Sequence, residues 1–166
     1  RILTQFPYSP EGAILRLAWL EGLSREEIAA SDSPALPADF LRWLEETLPS
    51  LGVNAQCLTG RAEELVTDRR ETYDFATSRA VARLNILLEL TAPFVKVGGA
   101  VLALKGAAAQ EELDEAKGAI QKLGLKLEAK KAFPIDGANH TVLVLRKIAP
   151  TPPKYPRRYA KIKQSP

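Results

Sequence analysis

A chain of 166 residues with 46% apolar content suits one domain and can bury a core, and it lacks a run of about 18 apolar residues, so no membrane-spanning helix is expected. Its single cysteine, Cys57, excludes an internal disulfide and a thiolate zinc cluster and fits a reducing compartment; its single histidine, His140, argues against a His-rich metal site. The net charge is +3, yet seven basic residues lie from Arg146 onward and no acid follows Asp136, which leaves residues 1–145 at −4; an acidic body with a basic end points to a polyanionic partner, or to a merely solvated terminus.

In chain order, residues 1–12 are irregular, punctuated by Pro7, Pro10 and Gly12, and Arg1–Gln5 has none of the apolar character of a signal peptide; a cytoplasmic protein is expected. Ala13–Leu20 is helical in character. Ser24 with Glu27 three residues on resembles a helix start, and Ile28–Ala30 is a short strand candidate. Phe40, Leu41, Leu44 and Leu48 fall at helical spacing within Asp39–Leu48, which Gly52 stops. Val53–Leu58 and Tyr73–Ser78 read as strands, with a helix over Arg83–Leu90. Gly98 and Gly99 then turn the chain into Ala100–Leu104, a continuous apolar run of the kind found in a fully buried strand. A charged amphipathic helix is expected over 108–123, ending at Gly124. Leu125–Phe133 and Thr141–Ile148 alternate and form an antiparallel pair, turned at Asp136–Asn139. Helices alternating with strands, closed by two consecutive strands, predict an α/β sheet of mostly parallel strands with a C-terminal antiparallel hairpin.

Ligands of such sheets bind at the carboxyl ends of the strands, so the residues after each strand carry the functional expectation. Asp32, after Ile28–Ala30, can accept hydrogen bonds from ribose hydroxyls, or cap the next helix. In Gly60–Glu64 the small Ala62 admits an adenine ring to the backbone and Glu63 offers acceptors; the plain alternative is a turn opening a helix. Arg79 follows Tyr73–Ala76 and can reach a cofactor or a phosphate, or be a surface arginine. Lys105 ends the buried strand over the same crevice, or snorkels to solvent.

These residues resemble a known family, the bacterial 16S rRNA guanine-N7 methyltransferases, also called glucose-inhibited division protein B. The family's Gly-Arg-Ala-Glu-Glu is similar to Gly60–Glu64, its (Phe/Tyr)-Asp-x-x-x-x-Arg-Ala-Val-Ala to Tyr73–Ala82, its Gly-Gly-x-x-x-Ala-Leu-Lys-Gly to Gly98–Gly106, and its Lys-Tyr-Pro-Arg-Arg to Lys154–Arg158. Asp32, Ser33, Phe40 and Leu41 also fit, and order and spacing agree across residues 32–166. The family's Asp-x-Gly-x-Gly-x-Gly-Phe-Pro-Gly loop is not matched: Phe6-Pro7 survives, Thr4 stands near the acid's place, and no Gly-x-Gly is present, so residues 1–31 are degenerate or incomplete relative to the family.

The resemblance implies a Rossmann-like S-adenosylmethionine-dependent methyltransferase domain over residues 1–148 and a basic tail over 149–166. It implies transfer of a methyl group from S-adenosylmethionine to N7 of a guanine in 16S rRNA of the small ribosomal subunit, by a monomeric cytoplasmic enzyme with no membrane partner and no metal. Phe6, Asp32, Ala62, Glu63 and Arg79 are the expected cofactor contacts. Arg61, Lys105, Lys154, Arg157 and Arg158 are the expected RNA contacts. No catalytic acid or base is expected, because guanine N7 has a free lone pair and the sulfonium is already a good methyl donor; the protein's work is positioning. Two alternatives stay open: a non-catalytic methyltransferase-fold protein that binds RNA or the ribosome, and a small-molecule methyltransferase. Cys57, Trp19 and Trp43 read as core, and His140 as a polar residue at a turn.

Overall fold

A computed structural model describes residues 2–5, 52, 60–79, 81–135 and 138–166. The chain forms two compact units, residues 1–6 with 60–166, and residues 7–59. The elements expected within 13–58, and the candidate cofactor residues Phe6 and Asp32, lie outside the described residues.

Among the described residues, the first unit is built on a five-stranded sheet of order β1-β2-β3-β5-β4, comprising β1 (Ile2–Gln5), β2 (Tyr73–Arg79), β3 (Val95–Lys105), β4 (Leu125–Ile135) and β5 (Ala138–Lys147). β1, β2 and β3 run parallel, while β5 is antiparallel to both β3 and β4. The helices are α1 (Ala62–Leu65), α2 (Leu84–Thr91), α3 (Ala109–Glu115), α4 (Lys117–Lys122) and α5 (Tyr159–Gln164), with a 3₁₀ turn at Ala92–Phe94.

Among the described residues the expected strands form where their patterning predicts, with ends that differ for identifiable reasons, while Ile2–Gln5, read as irregular, is a strand paired with β2. Ala100, Val101 and Ala103 are fully buried, as a strand with neighbours on both sides requires. β3 nevertheless begins at Val95, so Gly98 and Gly99 lie inside it rather than in a turn. Tyr73 pairs with Val95 and Phe75 with Ala100, so β3 bulges between these positions. A Cβ on Gly99 would lie 2.3 Å from the Asp74 carbonyl oxygen, so only glycine lets the bulge close onto β2. Lys96 pairs with Asp74, and Arg146 Nη1 donates to the Gly98 carbonyl at 2.8 Å, holding the bulge from either side.

On α2, Leu84, Leu87, Leu88 and Thr91 fall at helical spacing and are all buried, packing toward Ala76, Val101, Leu143 and Leu145 of the sheet. Each such leucine contributes about 1.5–3 kcal/mol by leaving water. The single helix expected over 108–123 is interrupted at Ala116, whose ψ of −1° departs from helical values, although Ala116 N–H still donates to Glu112 O and Ile120 N–H to Ala116 O. Gly124, at φ +71°, ends α4, and its carbonyl accepts from Ile148 and Ala149 N–H. The hairpin connection is two residues shorter than expected, because Ala138 and Asn139 pair with Ile135 and Pro134 instead of turning the chain.

The basic end is packed against the sheet domain. The Arg70 guanidinium donates to the carbonyls of Tyr155, Thr151 and Pro152 at 2.8, 2.9 and 3.1 Å, and Ile162 is fully buried. The boundary expected at 148/149 is therefore not a break in packing, since residues 60–166 belong to one unit. Three carbonyls that no charge pattern reveals give this segment its seat.

Candidate functional site

β2 and β3 end side by side, with Arg79 opposite Leu104 in register. Beyond their carboxyl ends lies a cleft of about 490 Å³, walled by Arg79 and Val81–Arg83 after β2, by Leu104–Gly106 at the end of β3, by Glu112 of α3 and by His140 of β5. Its position is that expected for a ligand site in a parallel sheet.

One wall is held by a buried clamp. Lys105 Nζ donates to the Ala82 carbonyl at 2.6 Å and pairs with Glu112 Oε2 at 2.7 Å; the two side chains are 7% and 14% exposed. The same Glu112 oxygen accepts from Leu84 N–H at 2.7 Å, satisfying a donor in the first turn of α2. Glu112 thus ties the end of β3 to the segment joining β2 and α2. Arg83 adds a second tie from the surface, with Nη2 at 2.8 Å from Glu111 Oε1 and 2.7 Å from Glu115 Oε2; these carboxylates push its pKa up, Glu111 most. Arg79 is exposed, and among the described residues it is the cleft cation without a carboxylate partner.

Of the described residues singled out from the sequence, Arg79 and Lys105 meet in this cleft, and the other described ones stand elsewhere. Arg61 precedes α1 and is 70% exposed. Glu63 is 10% exposed, with Oε1 3.8 Å from Arg61 Nη1 and accepting from Tyr159 N–H at 3.2 Å, so that oxygen addresses α5. Ala62 opens α1. Lys154 is exposed, with Nζ 5.3 Å from the centre of the Tyr155 ring. Arg158 is exposed at the start of α5. Arg157 is turned inward: Nη2 is 2.6 Å from Glu89 Oε2, Nε is 2.9 Å from Glu89 Oε1, and its backbone N–H also donates to Oε1 at 2.8 Å. Glu89 is 6% exposed, and its charge raises the pKa of Arg157.

Sequence reasoning did not single out Ser78, Arg83, Glu112 or the placement of His140. Ser78 is 3% exposed at the carboxyl end of β2, beside Gln5 of β1 in register, and among the described residues its hydroxyl has no hydrogen-bond partner. A buried hydroxyl without a partner is costly, which marks it as a group that a ligand can satisfy. Its only sequence signal is its place one residue before Arg79. Among the described residues no cluster of His, Cys, Asp and Glu is arranged to hold a metal, and no helix is long and apolar enough to cross a membrane.

Comparison with known proteins places this geometry in a family. The family model described as rRNA small subunit methyltransferase G matches residues 37–140. The protein named ribosomal RNA small subunit methyltransferase G from Thermotoga neapolitana is 43% identical over 120 residues, covering 71% of this chain and 52% of that protein. Its namesake from Fervidobacterium nodosum is also 43% identical, over 121 residues, covering 71% of this chain and 57% of that protein. The chain thus spans a little over half the length of the curated relatives it matches. Among solved structures, TrmN from Thermus thermophilus aligns with a TM-score of 0.52 at 22% identity, covering 89% of this chain and 44% of that one. TYW2 from M. jannaschii, solved in complex with AdoMet, aligns at 0.51 and 14% identity over 89% of this chain and 69% of that one. The fold is the Rossmann-like fold of S-adenosylmethionine-dependent methyltransferases, as the strand pattern predicts. With the family model covering more than half of its residues, the chain belongs to the rRNA small subunit methyltransferase G family.

Proposed function

We propose that this chain carries the methyl-transferring domain of an enzyme that moves a methyl group from S-adenosylmethionine to N7 of a guanine in 16S rRNA of the small ribosomal subunit. The observation that carries this reading is the family match over residues 37–140, which runs through β2 and β3 and so through the strands whose ends build the cleft. The enzyme acts in the cytoplasm as a monomer.

The residues present fit the cofactor in one respect and are taken up in another. The unsatisfied Ser78 hydroxyl, between the ends of β1 and β3, suits a polar atom of the ligand, and the uncommitted Arg79 guanidinium suits its carboxylate. Ala62 offers backbone groups; the other expected cofactor contacts, Phe6 and Asp32, lie outside the described residues. Glu63 Oε1 is occupied by Tyr159 N–H, which leaves Oε2 for a ligand. When bound, S-adenosylmethionine supplies an electrophilic methyl group on its sulfonium. Guanine N7 carries its own lone pair, so the chain need hold no base; Lys105 and Glu112 fix the cleft wall, and Arg79 would orient the cofactor. Arg61, Lys154 and Arg158 are the exposed candidates for RNA phosphates, while Lys105 and Arg157 are committed to the carboxylates of Glu112 and Glu89 and act in positioning.

Calorimetric titration of S-adenosylmethionine into the chain and its Arg79→Ala variant tests the reading. Saturable binding, weakened about tenfold in the variant by loss of one charge-assisted hydrogen bond, is expected, followed by methyl transfer to small ribosomal subunits. Absence of binding by the folded chain would leave a non-catalytic relative.

A further inference from the structure

We propose that His140 is a stacking platform for an RNA nucleobase held in the cleft beyond β2 and β3. The proposal rests on the rRNA-methylating reading and names how a base is gripped. His140 is the aromatic ring lining the cleft among the described residues. It is partly exposed, and it pairs across the hairpin with Phe133. The two rings stack, with centroids 6.3 Å apart and planes inclined by 23°. Phe133 backs the imidazole from the neighbouring strand, so the ring is braced where the cleft opens. A braced π face is a surface on which an unstacked RNA base is held, because every base presents a π face of its own. Arg83 and Lys105 are tied to carboxylates and Arg79 is assigned to the cofactor, which leaves the His140 ring to meet the base. The cleft, at about 490 Å³, lies within the usual range for a site that encloses a small molecule, roughly 300–1,000 Å³, so it has room for a nucleoside.

The bland account of the same contact is a cross-strand aromatic pair that steadies the hairpin. The two accounts part in their dependence on the base. The test compares the wild-type chain with His140→Leu, which keeps bulk without a π face, and His140→Phe, which keeps the ring. The probe is a fluorescein-labelled RNA hexamer bearing one guanosine among uridines, alongside the same hexamer with an abasic site in place of the guanosine. A stacking platform predicts that His140→Leu weakens binding of the guanosine hexamer about tenfold, that His140→Phe stays within about threefold of wild type, and that the Leu variant no longer distinguishes the two hexamers. Equal losses on both hexamers, no loss in His140→Leu, or a loss in His140→Phe as large as in His140→Leu each overturn the proposal. So does a His140→Leu defect confined to S-adenosylmethionine binding, which would move the ring to the cofactor. If wild type binds the guanosine hexamer and the variants match it, His140 alone loses its role. If wild type binds neither hexamer, the RNA reading falls with it.

Discussion

Glu71 Oε1 and Lys147 Nζ lie 3.2 Å apart beneath the C-terminal segment, and between them they join three parts of the chain. The Lys147 side chain is fully buried, with Nζ donating to the carbonyls of Ala92 at 2.8 Å and Val95 at 3.2 Å and to the Thr151 hydroxyl. Glu71 accepts from Thr151 N–H at 2.8 Å, and its own N–H donates to Pro93 O at 2.8 Å. Glu71 adopts φ +52°, a left-handed conformation that costs a non-glycine residue about 1–2 kcal/mol, offset by these bonds.

Lys147→Met removes the cation and leaves Glu71 and two carbonyls without it. Destabilisation of about 3 kcal/mol is expected in urea unfolding. Burial pushes the Lys147 pKa down, and Glu71 only partly restores it. Between that lowered value and the ordinary 10.5, the unfolded chain binds more protons than the folded one. The stability of wild type relative to Lys147→Met therefore rises with pH through this window. A falling difference would show that Glu71 outweighs burial.

Arg157 and Arg158 are neighbours with opposite expected phenotypes. Arg157→Ala strips Glu89 of its guanidinium partner in a nearly buried position and should cost about 3 kcal/mol, with faster proteolysis of residues 150–166. Arg158→Ala should leave the unfolding midpoint unchanged and lower the salt slope of RNA binding by about 0.7, the share of one phosphate on a single strand. A stable Arg157→Ala variant with a reduced slope would return Arg157 to the RNA contacts.

Lys105 and Glu112 should behave as one unit. Lys105→Met leaves a carboxylate nearly buried and uncompensated, at a cost of about 3 kcal/mol. Glu112→Gln keeps an acceptor for Leu84 N–H and should cost about 1–2 kcal/mol. The double variant should lose less than the sum of the two, by at least about 1 kcal/mol. Additive losses would show that the clamp is not a coupled pair.

Much of this fold was legible because hydrophobic periodicity is local. Ala100–Leu104 is apolar throughout, and β3 there is buried between two neighbours; Thr141, Leu143, Leu145 and Lys147 alternate, and all four face inward along β5. The ends were less legible. Gly98 and Gly99 read as a turn until the bulge against Asp74 is known, and the turn at Asp136–Asn139 shortens only when Ala138 and Asn139 find partners in β4.

Composition and motif order determined by themselves the α/β pattern, the hairpin, the family resemblance and the acidic body with its basic end. They could not say which charges are free. Arg157 reads as a phosphate ligand in a basic run, yet its carboxylate partner lies 68 positions away in α2. Lys147 looks like any other tail cation, yet it is sealed among the carbonyls of Ala92 and Val95. His140 reads as a turn residue until β4 sets Phe133 against it. A side chain's type and spacing decide what it can bind. Only the path of the folded chain decides which partner arrives first and shields it from water.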